Sequence, residues 1–403
     1  MENVQIPREH YLSKLMVQKD SGKIKIISGF RGCGKTALIS MFIDELRNSG
    51  VSDEKIKYVD LKEMESSECD LRELLNLIKW NITDFENSYV FLDNVRDFEL
   101  YKWALYSMYT CNADVYIAVS SRPNIHETDL LFNLVHEIRI RPLTFCEYLD
   151  FRDSGEMDGL LMDYIRFGGL PAVAVALDRM PNLAYDLLEG IYNTAFLNDV
   201  LFLNDIRNVA NAGKLSRILM KDIGRKRSIR GVSKEISSKG VDVQPVTTDQ
   251  YVSALVKGLL FDRVRRMDSK SKEYLRTSDK FYASDLGIRN NLIPFSERDL
   301  DGIMENMVYN ELMFRYGEAA VYSVDGYEVD FIADPRGSPS YYQVCTDISE
   351  KSTRERELRS LKAIPDNYPK TVITFEKYPL RDIDGIRIVN IQDWLLEGKS
   401  PQV

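Results

Sequence analysis

The sequence predicts an α/β fold built on a parallel sheet. Three observations predict it. Residues Gly29-Phe30-Arg31-Gly32-Cys33-Gly34-Lys35-Thr36 form a complete G-x-x-x-x-G-K-T loop. The loop follows an apolar run, Lys23–Ser28, and precedes a helix-patterned run, Ala37–Ile43. Strand-like and helix-like runs then alternate as far as Ser121, the pattern of a sheet covered by helices on both faces.

The loop carries the most chemistry. Its glycines let the backbone curl so that successive N–H groups point at one spot, and the following helix adds its positive N-terminal end. Lys35 reaches β- and γ-phosphates in such a loop, and the Thr36 hydroxyl ligates Mg²⁺. The expected nucleotide-binding residues are Gly29, Arg31, Gly32, Cys33, Gly34, Lys35, Thr36 and Ala37. ATP and Mg²⁺ are the expected ligands.

Downstream, Lys55–Asp60 reads as a second strand and the stretch around Leu71–Ile78 as a helix. Ser88-Tyr89-Val90-Phe91-Leu92-Asp93 is an apolar run ending in an acid, the form of a Walker B strand. Asp93 at its C-terminal end is the second expected metal residue beside Thr36; the alternative is a simple helix N-cap. Another strand, Asp114–Ser121, ends at Ser120, Ser121 and Arg122, where additional-strand ATPases place a polar sensor of the γ-phosphate; ordinary loop polarity is the competing reading. Ligands bind at the C-terminal ends of such strands, where all these residues fall. After Asp93 stands Asn94, where AAA-type ATPases usually carry a glutamate that activates the attacking water. An amide hydrogen-bonds a water but cannot take its proton. The catalytic set is therefore Asp93, Asn94 and Arg122, with slow hydrolysis or another acid, such as Asp97 or Glu99, as the expectation.

Composition bounds the classes. The chain has 403 residues, room for several domains, and a net charge of −9, which argues against a protein that coats nucleic acid throughout. Five cysteines (Cys33, Cys69, Cys111, Cys146, Cys345) and three histidines form no metal-ligand spacing, so neither zinc nor a disulfide framework is expected. No run is long and apolar enough to span a bilayer, and the N-terminus lacks the pattern of a signal peptide; cytoplasm, with no membrane partner, is the expectation.

Five stretches in order along the chain resemble the archaeal and bacterial AAA-type ATPases whose C-terminal half is domain of unknown function 4143. They are Ile6–Leu12, Arg141-Pro142-Leu143-Thr144-Phe145-Cys146-Glu147-Tyr148-Leu149, Phe167-Gly168-Gly169-Leu170-Pro171, Lys280-Phe281-Tyr282-Ala283-Ser284-Asp285-Leu286-Gly287 and Glu328-Val329-Asp330-Phe331-Ile332. The resemblance implies ATP binding. Members often carry a Gly-Arg pair shortly before the second stretch; here that region reads Leu131–Val135, so no arginine finger is assigned, with Arg139 and Arg141 as substitutes.

In the middle, Leu183, Leu187, Leu188, Ile191, Tyr192, Phe196, Val200 and Leu201 recur at helical spacing, the packing face of a helical lid or linker. Residues 214–239 are basic and threaded with apolar side chains. A short helix, Ser233–Ser238, precedes a second helix opened by a Thr247–Gln250 capping box. Two strands, Leu259–Val264 and Lys272–Arg276, then flank a Lys/Ser-rich turn. Helix, helix and a two-strand wing is winged helix-turn-helix order. Arg225, Lys226, Arg227, Arg263, Arg265, Arg266, Lys270 and Lys272 are candidate contacts to the phosphates of duplex DNA. The second helix offers only Lys257 as a base, so docking of a protein partner stands beside the DNA reading.

The C-terminal order is a helix around Glu305–Leu312, strands at Ala320–Ser323, Tyr327–Ala333 and Ser340–Val344, a charged helix at Thr353–Leu361, and strands at Thr371–Thr374 and Ile386–Val389. This resembles the restriction-endonuclease-like fold. An active member needs an acid followed by E-x-K or D-x-K on the next strand. Asp330 fits the first acid and Glu311 a helix acid, but the E-x-K position reads Gln343-Val344-Cys345, so cleavage is expected to be lost; Tyr341, Gln343 and Asp330 remain as a candidate polar site. The expected division is an ATPase core (1–153), a helical lid (154–205), a winged helix (206–290) and a nuclease-like α/β domain (291–403).

Overall fold

The fold is taken from a computed structural model, which describes residues 6–62, 85, 87–152, 155–240, 243–275, 278–334 and 337–399. The helix expected around Leu71–Ile78 lies outside the described residues. By contact the chain divides into two compact units. The first holds residues 1–142, 193–206 and 257–259, and the second the remainder.

In the first unit the apolar runs become strands β1 (Ile24–Gly29), β2 (Ile56–Asp60), β3 (Tyr89–Val95), β4 (Asp114–Val119) and β5 (Val135–Ile140). They form one parallel sheet in the order β2-β3-β4-β1-β5. β4 is thus inserted between the strand that leads into the phosphate loop and the strand that carries Asp93. β5 had no strand reading in the sequence because His136, Glu137 and Arg139 interrupt its apolar pattern. On one face Phe42 of helix Lys35–Asn48 packs over Phe91 and Tyr116, whose rings stack at 4.8 Å. On the other, helix Phe98–Thr110 buries Phe98, Tyr101, Leu105 and Met108 against Val90, Leu92, Val115 and Ile117.

The second unit contains helices Met157–Phe167, Pro171–Arg179 and Pro181–Thr194. The last buries Leu188 and Tyr192 and holds Leu183, Leu187 and Ile191 half-buried, as the helical spacing predicts. The helical face does not continue as one α-helix: residues Ala195–Leu201, in the first unit, are π-helical. Helix Ile229–Ser238 begins earlier than its sequence signal because Ser228 caps it, accepting the Gly231 N–H at 3.1 Å. The next helix is Pro245–Lys257, so Thr247 lies inside it and is not its cap; Pro245, with φ already helical, starts it instead.

The expected wing is also redrawn. β6 (Phe261–Val264) pairs antiparallel with β8 (Lys280–Ala283), not with residues 272–275; Arg276, the end of the expected strand, lies outside the described residues. The Lys/Ser-rich turn instead joins β7 (Arg266–Asp268) to Glu273–Leu275. β7 then adds in parallel to a seven-stranded mixed sheet, β13-β14-β12-β11-β10-β9-β7. Its strands β9 (Ala320–Val324), β10 (Tyr327–Ala333), β11 (Ser340–Cys345), β12 (Lys370–Thr374), β13 (Asp382–Ile383) and β14 (Ile386–Asn390) carry helices Leu300–Tyr316 and Lys351–Lys362. Four of the cysteines, Cys33, Cys111, Cys146 and Cys345, are free thiols. Among the described residues no helix is long and apolar enough to cross a membrane.

Candidate functional site

β1 ends at Gly29 and the next helix begins at Lys35, so residues 30–34 must turn between strand and helix. Gly32 and Gly34 take φ of 83° and 98°, the left-handed region that glycine enters without a Cβ penalty. Gly29 is fixed by close approach: a Cβ there would stand 2.6 Å from the Ile140 carbonyl oxygen and 2.7 Å from Cys33 Sγ. The donor set suits a phosphate chain, with the first turn of a fourteen-residue helix, exposed Thr36 and Ala37, and one lysine. The Lys35 ammonium is buried and donates to the carbonyls of Gly29 (2.9 Å) and Phe30 (3.2 Å). Cys33 is buried beneath the loop.

Two contacts that the sequence did not signal brace this loop. Arg8, also buried, donates through Nη1 to the Cys33 carbonyl at 3.0 Å and to the Arg141 carbonyl at 2.8 Å. This gives the Ile6–Leu12 stretch a physical role, since its arginine ties the loop to the chain after β5. Arg31 makes two parallel bonds to Asp199, Nε to Oδ2 at 2.8 Å and Nη2 to Oδ1 at 2.7 Å. Asp199 sits in the π-helical segment and is only 2 % exposed. Burial pushes its carboxyl pKa up, while Arg31, Lys35 and Arg96 pull it back down.

Asp93 lies in β3, buried. Its Oδ1 accepts the Asn94 N–H at 2.7 Å and its Oδ2 the Tyr58 hydroxyl at 3.1 Å. Burial, with the Asp93 charge second, raises the Tyr58 hydroxyl pKa, so the phenol stays a donor. Asn94 has φ of 56° where the β3–β4 register slips between Leu92 and Val95, a bulge that swings its side chain away from the ladder. Its amide donates to Asp60 Oδ1 at 2.8 Å. Asp60 ends β2 directly beside Asp93 in register.

The two acids that the sequence suggested beyond Asn94 are engaged elsewhere. Asp97 caps helix Phe98–Thr110 through the Glu99 N–H at 2.9 Å, and Glu99 pairs with Lys102 at 2.8 Å. Asp60 was legible by the same sign as Asp93, an acid closing a strand. Arg122 follows β4, and its backbone N–H donates to the Lys257 carbonyl at 2.8 Å. Gly29, Asp93 and Asn94 near strand ends, Lys35 at the start of the helix that follows β1, and Arg122 in the loop that follows β4 thus all lie toward the C-terminal ends of the parallel strands.

The second unit holds a separate polar cluster. Lys280 of β8 is buried, with Nζ 2.7 Å from Glu305, 3.3 Å from Glu328 and 3.2 Å from Asp330. Tyr282 also donates to Glu305, and Asp330 Oδ2 accepts the Val344 N–H at 3.0 Å. Burial pushes the Glu305 carboxyl up to about 7 against the pull of Lys280. Gln343 joins this group through the Asp330 N–H (3.4 Å) and Glu357 (2.8 Å), but Tyr341 turns to Asp366 at 2.7 Å. Glu311 is not the helix acid of the cluster; it pairs with Arg315 at 2.7 Å, and Glu305, two turns earlier on the same helix, takes that place. Thus a lysine does stand beside Asp330, supplied by β8 and not by the strand that follows.

The parallel sheet with β4 inserted, the glycine-rich loop and the buried acid on β3 all fall within residues 21–149. Residues 21–149 match the family model described as "AAA domain". Residues 158–299 match a domain of unknown function (DUF8612), a different family from the one named on the motifs. The chain is similar to an uncharacterized protein of Haemophilus influenzae, 29 % identical over 407 residues, covering 98 % of this chain and all of that one. Among solved structures it is similar to a Walker-type ATPase of Pyrococcus abyssi, with 12 % identity and a TM-score of 0.48 over 71 % of this chain and 95 % of that one.

Proposed function

We propose that this protein is a Mg²⁺-dependent ATPase of slow turnover that couples its nucleotide state to a C-terminal half engaging duplex DNA. The observation that carries the ATPase reading is the placement of the Lys35 loop on β1, with β4 between it and the Asp93 strand. Loop N–H groups and Lys35 bind the β- and γ-phosphates, and Thr36 and Asp93 hold the metal. Mg²⁺, when bound, neutralises charge on the phosphates. Asn94 orients the attacking water, and Asp60, bonded to the Asn94 amide, is the acid within reach of it. Arg122 stands as the γ-phosphate sensor after β4.

For DNA, a cleft of about 290 Å³ in the second unit is lined by Arg227, Arg230 and Arg263 beside Ser228, which caps helix Ile229–Ser238. This favours a phosphate backbone at a winged-helix-like edge. Against it, five of the eight named bases are already ion-paired: Arg225 and Arg227 with Asp222, Lys226 with Glu328, Arg263 with Asp279, and Lys270 with Asp325. That pairing favours the second reading, a nucleotide-gated adaptor that docks a protein. Nuclease action on the C-terminal scaffold is disfavoured because the Lys280 ammonium fills the space between Glu305, Glu328 and Asp330.

The test is calorimetric titration with Mg·ATP, followed by phosphate release with and without duplex DNA at low salt. Binding with slow turnover that DNA changes supports the switch. Binding with neither turnover nor a DNA shift supports the adaptor, and no nucleotide binding overturns both.

A further inference from the structure

Asp199 is a buried acid that the ATPase reading does not use. It lies far along the chain from the phosphate loop, yet its carboxylate is held by the Arg31 guanidinium of that loop in a two-bond fork. Lys35 and Arg96 also act on it electrostatically, so cations of the loop and of the segment after β3 converge on one buried anion. A guanidinium binds phosphate in the same forked geometry as carboxylate. Lys35, which reaches the terminal phosphates, rests on the carbonyls of Gly29 and Phe30, the two residues before Arg31. The γ-phosphate therefore arrives at the stretch of loop that carries Arg31.

We propose that the Arg31–Asp199 pair is a latch operated by the γ-phosphate: without nucleoside triphosphate Asp199 holds Arg31, and with it the γ-phosphate takes the guanidinium and frees Asp199. The proposal rests on the nucleotide-binding reading above. ADP lacks the competing anion and leaves the latch closed. A carboxylate deprived of its cation does not stay buried at low cost. Its release therefore moves the segment that carries it, residues Ala195–Leu201. That segment is π-helical, a form found frequently at functional sites.

The movement has a path within the same unit. Gly258 packs so closely on the segment that a Cβ there would stand 2.9 Å from the Asp199 carbonyl oxygen and 2.5 Å from Val200 Cγ2. Its neighbour Lys257 accepts the Arg122 N–H. Release of Asp199 is thus relayed to the residue after β4.

The experiment uses the full chain. Calorimetry first establishes that the wild type binds Mg·ATPγS and Mg·ADP. Amide hydrogen exchange over residues 195–201 is then followed with each nucleotide. The expected result is exchange about tenfold faster with ATPγS than with ADP or no nucleotide. Asp199→Asn is expected to exchange fast without nucleotide and to bind ATPγS about tenfold more tightly, with ADP affinity within about twofold of wild type. Arg31→Gln breaks the pair from its exposed side, and fast exchange in that variant keeps the test intact if Asp199→Asn does not fold. Equal exchange with ATPγS and ADP, or equal or weaker ATPγS binding by Asp199→Asn, overturns the latch alone. Wild-type protein that binds neither nucleotide overturns the nucleotide reading itself.

Discussion

Asp285 accepts the backbone N–H of Gly169 at 2.8 Å, across more than a hundred residues of chain. It also caps helix Leu286–Leu292 through the Ile288 N–H at 3.0 Å. The Gly168-Gly169 turn and the Asp285–Gly287 stretch, read in the sequence as two separate short patterns, are therefore two halves of one joint. The fit is tight on both sides. A Cβ on Gly168 would lie 2.3 Å from Asp285 Oδ1, one on Gly169 2.4 Å from the Leu143 carbonyl oxygen, and one on Gly287 2.0 Å from the Phe167 carbonyl oxygen. Gly287→Ala has no room to relax against backbone, so we expect it to cost about 3 kcal/mol, read as a lower urea midpoint at unchanged slope. An unchanged midpoint would show that the helix shifts freely.

The same joint gives a pH signature. Burial raises the Asp285 carboxyl from 3.8 to about 6, against three backbone N–H groups that pull it down. An acid whose folded pKa is raised binds more protons folded than unfolded, so stability falls as pH rises from about 4 to 6 and is flat beyond. Asp285→Asn keeps an acceptor for the cap and removes the titration. Its melting temperature is expected to lose that part of the wild-type slope, and a slope identical to wild type would contradict the assignment.

Lys280 is the cation that bridges Glu305, Glu328 and Asp330, while Lys226 pairs with Glu328 at 2.6 Å. Lys280→Met leaves three carboxylates facing one another, and we expect a loss of about 3–5 kcal/mol at neutral pH. With Glu305 already pushed up to about 7, acidification neutralises the cluster, so the deficit should narrow toward pH 5. A deficit that widens on acidification would mean that the lysine is held by packing and not by charge.

At the proposed nucleotide site, Lys35→Ala should weaken Mg·ATP binding by about a hundredfold or more without lowering the melting temperature of the apoprotein, since its described bonds are to loop carbonyls.

Asp60→Asn separates the roles at the end of β2. It should keep ATP affinity within about twofold and cut turnover by about a hundredfold, the usual contribution of a general base. Turnover equal to wild type would return the search to other acids. Asp97→Ala is the control, and because Asp97 caps a helix it should cost stability of about 1 kcal/mol and leave turnover in place.

Much of the core was legible because its signals are local. The glycines at 32 and 34, the apolar runs of β1, β3 and β4, and strands β10 to β12 follow from residue type over a few positions. Thr144 and Glu147 form a reciprocal capping box, with bonds of 2.9 and 3.2 Å, whereas the box expected from Thr247 to Gln250 lies inside its helix. The wing pairing was not legible. Leu259–Val264 and Lys272–Arg276 look alike as strands, but β6 pairs with the edge that β8 offers, and Tyr274 bridges to Met267 of β7. Glu311 and Glu305 are both acids of one helix, and the sequence has no means of saying which meets Lys280.

By itself the sequence determined the phosphate loop, the acid closing β3 and the amide after it, because each is fixed by the local geometry of a strand end and a turn. The tertiary structure alone decided what those residues answer to. Arg31 faces Asp199, Asn94 faces Asp60, and the Cys33 carbonyl is bonded by Arg8. The physical reason is that a buried charge or carbonyl must find its partner wherever the fold brings one, and distance along the chain does not limit that choice.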